Sequence, residues 1–210
     1  NDGQLGNGDN ESCSSPQIIK NLYDIEFIEC GGNHTICKTY SNEYYSWGDN
    51  YNGQLGHGTN NDYDKPVKCS NWPDDIIDFK CGKEHSLLLT STGYVYSFGG
   101  NYSGELGLNS KRTKSINIPT LIKYIPLIKR IECGYNHSMC IDINDNLWVF
   151  GYNEYGQLGL GDKEDRYKPI LNKSLHDIID ISSGGDHTFV KTINNEIYAF
   201  GFNYYSNFGI

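Results

Sequence analysis

Four copies of one 32-residue pattern run through this chain without a gap, and nothing else constrains its fold as strongly. The copies align on His34, His85, His137 and His187, which are 51, 52 and 50 residues apart. The first reads IEFIECGGNHTICKTYSNEYYSWGDNYNGQLG and the third IKRIECGYNHSMCIDINDNLWVFGYNEYGQLG. All length variation lies between the closing Leu-Gly of one copy and the first isoleucine of the next. The glycine-rich turn "YNGQLGHG" (51–58) returns as "NDGQLGNG" (1–8), "YSGELGLN" (102–109) and "EYGQLGLG" (154–161), with "YYSNFGI" (204–210) as a worn copy.

Each copy reads as β structure. Ile25, Ile76, Ile128 and Ile178, with Ile28, Phe79, Ile131 and Ile181 three residues later, mark a short buried strand. A glycine pivot (Gly31, Gly82, Gly134, Gly184) leads to the histidine and a second strand. The turn signals "SN", "STG", "NDN" and "NN" then predict a hairpin into a third strand. That strand carries Tyr45, Tyr96, Trp148 and Tyr198 two positions before Trp47, Phe98, Phe150 and Phe200, a period-two face built to pack on another sheet. Pro16, Pro66, Pro119 and Pro169 stand in the links, where a fourth, edge-type strand begins. No segment has a helical period. The expected fold is therefore all-β, with repeats at approximately 1–56, 57–107, 108–159 and 160–209.

A single small sheet cannot bury both faces. Stacking such sheets radially does so, which predicts a β-propeller of about 50-residue, four-stranded antiparallel blades. The competing architecture, a linear β-solenoid, uses shorter repeats. Leu55, Leu106, Leu158 and Phe208 of the closing turns are expected to plug the blade interior, with the turn glycines at positive φ.

Charge and cysteine content narrow the function classes. A net charge of −9 opposes direct nucleic-acid binding. The one tight basic cluster, Lys111, Arg112 and Lys114, reads as a solvated loop. No apolar run is long enough to span a membrane. Seven cysteines, an odd number at low density, point to a reducing, intracellular setting, cytoplasmic or nuclear. The sequons at Asn10, Asn33, Asn101, Asn136 and Asn172 raise a secreted binding protein as a thin alternative, but two of them fall inside the repeat. One Cys and one His per 50 residues do not form a zinc site, and a catalytic triad would not be copied four times, so no metal, cofactor or enzyme chemistry is expected. Cys37 and Cys140 occupy core positions, and the repeated histidine is expected to bond backbone groups at the strand entry.

C-G-x-x-H-[ST], an aromatic-Gly pair and then N-x-x-G-Q-L-G, as in "CGGNHT…YSWGDNYNGQLG" (30–56), resembles the repeat of the regulator-of-chromosome-condensation family. The resemblance implies a seven-bladed propeller, of which four repeats are present, starting and stopping on the closing turn. It implies a non-catalytic protein-interaction module of a larger protein, as in relatives with ubiquitin-ligase, kinase or BTB domains. The alternative is a nucleotide exchange factor or regulator of a Ran-like small GTPase, although no long wedge insertion interrupts these four repeats. In the founding member, acidic and His side chains of the Gly-x-x-His loops face the GTPase. The matching positions here are Glu84, His85, Asp186 and His187, and then Asn33, His34, Asn136 and His137. Trp47, Trp72 and Trp148 do not form the clustered aromatic set of ultraviolet-sensing relatives.

Overall fold

The computed structural model describes residues 2–204, so Asn1 and the tail 205–210, with Phe208 of the last closing turn, lie outside it. Among these residues fifteen strands and no helix follow in chain order. The first sheet holds β1 (Ile25–Cys30), β2 (His34–Thr39), β3 (Tyr44–Gly48) and β4 (Tyr63–Lys68). The second holds β5 (Ile76–Cys81), β6 (His85–Thr90), β7 (Val95–Gly100) and β8 (Ser115–Leu121). The third holds β9 (Ile128–Cys133), β10 (His137–Asp142), β11 (Leu147–Gly151) and β12 (Arg166–Leu171). The fourth shows three strands among the described residues: β13 (Ile178–Ser183), β14 (His187–Thr192) and β15 (Ile197–Gly201). Within every sheet, neighbours in sequence are neighbours in space and antiparallel.

Local chemistry explains the elements. Asn42, Asp145 and Asn195 take positive φ in the hairpin turns joining second and third strands, and Gly93 serves the same turn in the second sheet. Pro66, Pro119 and Pro169 sit on β4, β8 and β12, the outer strands, whose free edge tolerates a missing N–H. Pro16 departs from this expectation: residues 9–24 form no strand, and among the described residues no third strand precedes them for pairing.

A skipped residue in each first strand explains the spacing of three between its apolar positions. In β5, Ile76 pairs with Thr90 and Asp78 with Leu89, so the bulge at Ile77 returns Ile76 and Phe79 to one face. Ile76, Phe79, Ile128, Ile131, Ile178 and Ile181 are buried accordingly. Ile28 is instead 50% exposed, since among the described residues no sheet lies before β1 to cover that face. Phe27 turns toward the second sheet, its ring 4.5 Å from that of Phe79.

The core lies between sheets rather than within them. One cluster joins Ile36 and Tyr44 of the first sheet to Ile76, Phe79, Leu88 and Phe98 of the second. A second joins Leu87, Leu89 and Val95 to Ile128, Ile131 and Phe150. A third joins Met139, Ile141 and Val149 to Ile178, Ile181 and Val190. The second strands β6 and β10 are thus sandwiched and buried at every position: in β6, Leu88 faces backward while Leu87 and Leu89 face forward. That double burial is why "HSLLLT" and "HSMCID" do not alternate. Each fully buried Leu or Phe side chain contributes roughly 1.5–3 kcal/mol. The first strands also link through charge: Lys80 lies 3.6 Å from Glu29, and Arg130 lies 2.6 Å from Asp180.

Candidate partner-binding face

The Gly-x-x-His loops join first and second strands and gather at one end of the sheets. Their backbones bond from blade to blade: Gly32 N–H donates to Gly82 O, Lys83 N–H to Tyr135 O, and Tyr135 N–H to Gly185 O. The result is a collar around a central cavity of about 400 Å³, lined by Cys30, Cys81, Cys133 and the loop glycines. Among the described residues no group of His, Cys, Asp and Glu converges in a way that could hold a metal ion.

Three of the four histidines stand behind this collar, while His187 of the fourth loop is half-buried. His34, His85 and His137 are at most 1% exposed, so their side chains present nothing to a partner. Nor do their Nε2 atoms bond backbone. They reach forward to the next blade: 2.9 Å from Ser86 Oγ, 3.0 Å from Ser138 Oγ and 3.0 Å from Thr188 Oγ1. Each hydroxyl donates onward to a carbonyl of the closing turn, Gln54 O at 2.9 Å, Glu105 O at 2.8 Å and Gln157 O at 2.9 Å. A hydroxyl that spends its proton on the carbonyl must accept from histidine, which sets the neutral Nε2–H tautomer. Burial pushes His34 down to about 4 and His85 and His137 to about 3, keeping the rings uncharged. The glycine pivot makes room: a Cβ on Gly82 would stand 2.1 Å from His85 Cε1.

The closing turn completes this seam and is tied to its own sheet as well: Ser46 Oγ donates to Leu55 O at 2.9 Å and Ser97 Oγ to Leu106 O at 2.8 Å. Leu55, Leu106 and Leu158 are fully buried, and the turn that carries them leans on the following sheet. Gly56, at φ +68°, lies so close to Phe98 and Trp72 that a Cβ would meet them at 2.9 Å and 2.8 Å. Gly6 meets Trp47 in the same way, and Trp47 Nε1 donates to Gln4 O at 3.0 Å. A buried asparagine props each turn: Asn50, Asn101 and Asn153 accept from the N–H of Leu55, Leu106 and Leu158 at 3.0, 3.1 and 2.9 Å. These asparagines and the hydroxyl after each histidine stand in the repeat motif, but the sequence assigned neither a role. Asn101 and Asn172 are each 1% exposed, which closes those two sequons in the folded chain.

The non-histidine members of the candidate set do reach the surface. Asn33 is exposed, while Glu84, Asn136 and Asp186 are half-buried. Asn52 Nδ2 donates to Glu84 Oε2 at 3.0 Å, and Lys83 lies 3.8 Å from the same carboxylate. Gln157 Nε2 approaches Asp186 Oδ1 at 3.5 Å, and burial holds the Asp186 carboxyl above its ordinary value, partly offset by His187 and Lys83. The same turn and loop positions across the other seams are Gln4 with Asn33, Gln54 with Glu84, and Glu105 with Asn136, so no seam sets acid against acid. Glu105, only 4% exposed, is pushed up to about 7 by burial.

Four radially packed antiparallel sheets, sewn together by a repeated His–hydroxyl–carbonyl relay, define a β-propeller arc of the regulator-of-chromosome-condensation type. The family model described as RCC1-like domain matches residues 1–210, and the chain belongs to that family. It is 36% identical over 174 residues to the Arabidopsis thaliana ultraviolet-B receptor UVR8, covering 80% of this chain and 39% of the receptor. It is 40% identical over 128 residues to the Xenopus laevis RCC2 homolog, covering 60% of this chain and 25% of that protein. Among solved structures, yeast RCC1 (Prp20) bound to Kap60 matches at 25% identity and a TM-score of 0.78, over 88% of this chain and 46% of that one. Human WBSCR16 shares the fold, with a TM-score of 0.80 at 20% identity over 96% of this chain and 55% of that one. The chain spans less than half the length of the curated relatives it matches.

Proposed function

We propose that this chain is a non-catalytic recognition surface of a regulatory propeller, binding a protein partner through the face that carries the Gly-x-x-His loops. The carrying observation is the division of labour in those loops. His34, His85 and His137 are consumed by inter-blade bonds, while Asn33, Glu84, Asn136 and Asp186 stand outward on a backbone collar that holds them in fixed relation. A rigid collar loses little entropy on binding. Seven free thiols support an intracellular setting, cytoplasmic or nuclear. The test compares proteins retained by the chain with those retained by a Glu84→Lys/Asp186→Lys variant. A second control, Asn42→Lys, alters the hairpin turn at the opposite end of the strands. Partners lost only with the loop variant are expected; equal loss or equal retention in both variants would refute the reading.

A second reading is regulation of a Ran-like small GTPase. It is favoured by a solved structure of Prp20p from Saccharomyces cerevisiae whose title gives its binding to Gsp1p and histones, a match of 24% identity and TM-score 0.79. Its test is release of a fluorescent guanine nucleotide from purified small GTPases. Release no faster than the spontaneous rate would remove this reading and leave the first intact.

A further inference from the structure

The same face carries a second feature that the loop residues do not explain. Four aromatic rings run in contact from the third blade to the fourth. Tyr152 lies 5.9 Å from Tyr155, Tyr155 lies 4.9 Å from Phe202, and Phe202 lies 6.2 Å from Tyr204. Tyr155 is 42% and Tyr204 78% exposed. A row of packed rings that leaves Tyr155 exposed marks a contact site. Two carboxylates border it. Glu154 accepts a hydrogen bond from the Tyr152 hydroxyl, and Asp186 is held beside the row by the Phe202 N–H, which donates to its backbone carbonyl at 2.8 Å. Neither carboxylate takes part in an ion pair among the described residues.

Three other rings of the molecule carry one of its own cations. Lys114 Nζ stands 5.9 Å from the ring of Tyr102, Lys111 Nζ 5.2 Å from Tyr167, and Lys80 Nζ 5.8 Å from Phe27. Tyr155, flanked by acid, has no such cover among these contacts. The adjoining cavity of about 320 Å³ does not reverse the sign: Lys111 and Lys163 line it, against Glu154, Glu164 and Asp165. A chain of net charge −9 therefore presents an aromatic shelf bordered by Glu154 and Asp186.

We propose that this strip binds an extended, arginine-bearing segment of a partner protein, one guanidinium lying on Tyr155 between Glu154 and Asp186. Arginine suits the site better than lysine because its planar group stacks on a ring while its edge donates to carboxylates. The proposal rests on the reading of the loop face as the partner-binding face, and it names the chemistry of that partner.

The experiment is fluorescence anisotropy of the whole chain with a labelled peptide alternating arginine and glycine, at near-physiological salt. Saturable binding is expected, with about two- to fivefold loss for Tyr155→Ala and for Glu154→Gln. Tyr51→Ala, an exposed ring on the first blade, should leave the affinity unchanged, and thermal melting should show all three variants folded. No binding, equal binding of a glutamate–glycine peptide, or indifference to both strip variants would overturn the proposal. A lysine–glycine peptide bound as tightly would overturn the choice of arginine. If partners lost with Glu84→Lys/Asp186→Lys remain bound to Tyr155→Ala, the loop face stands and the strip falls.

Discussion

His85 Nε2 lies 3.0 Å from Ser138 Oγ, across 53 residues of sequence and one blade boundary. The serine hydroxyl passes the interaction on to Glu105 O at 2.8 Å, so one side chain satisfies two buried groups from the preceding blade. Removing it strands both. Ser138→Ala is expected to cost about 1–3 kcal/mol in urea unfolding. Ser138→Thr should recover most of that loss, since Thr188 fills the same role at the next seam. A Thr variant as unstable as the Ala variant would mean that the relay is not the source of the stability.

The glycine pivots and the turn glycines are held by different forces, and two substitutions separate them. Gly82→Ala drives a methyl group to 2.1 Å from the buried His85 ring, which cannot move without breaking the relay. Loss of folding, or several kcal/mol of stability, is expected. Gly156→Ala meets nothing within 4 Å and suffers only from its φ of +80°. Its cost should be about 1–2 kcal/mol. Equal thermal midpoints for the two variants would contradict the contact between Gly82 and imidazole.

Acid and base titrations of this fold act in opposite directions. His34, His85 and His137 stay neutral in the folded chain, with values pushed from the ordinary 6.5 down to about 4, 3 and 3. Their contribution is complete above 6.5 and is lost as pH falls from there toward 4 and 3. Glu105 does the reverse. Its value rises from an ordinary 4.5 to about 7, so the folded chain holds that proton more tightly. Stability from this group is complete below 4.5 and is lost as pH rises through 7. Glu105→Gln, which restores the residue of the other described turns, should raise stability at about pH 8 by on the order of 2–3 kcal/mol and change it little near pH 4.5. Urea midpoints across that range decide the matter; a variant no more stable at alkaline pH would show that the carboxylate is not penalised.

The first closing turn covers Trp47, which is 1% exposed and bonded to Gln4 O. Deleting residues 2–8 should uncover that indole. A red shift of tryptophan emission and a lower unfolding midpoint are expected, whereas unchanged emission would place the ring's cover elsewhere.

Much of this fold was legible because its signals are local. The spacing of isoleucines in "IIDFKC", the turn residues after Thr90 and the prolines of the outer strands each act on a few neighbouring residues. Pro66, Pro119 and Pro169 took their places for that reason, while Pro16 did not, because an edge strand needs a neighbour as well as a pattern. The candidate site was legible only in part. Recurrence marked the histidines, but recurrence does not say whether a side chain faces a partner or the next blade. It was the burial of His85 and the exposure of Asn33 that separated structural from outward-facing positions.

What the amino-acid sequence determined by itself was the unit: a small antiparallel sheet, its hairpins, its edge strand and the need to cover two apolar faces. Its pairings join residues within a single repeat, where chain connectivity keeps the search short. What only the tertiary structure decided was how one unit meets the next. The His–hydroxyl–carbonyl relay, the closing turn resting on Phe98 of the next sheet, and the row of rings from Tyr152 to Tyr204 all join separate repeats. Those contacts depend on the rotation between sheets, which is set by the summed packing of both faces and is written in no single stretch of the chain.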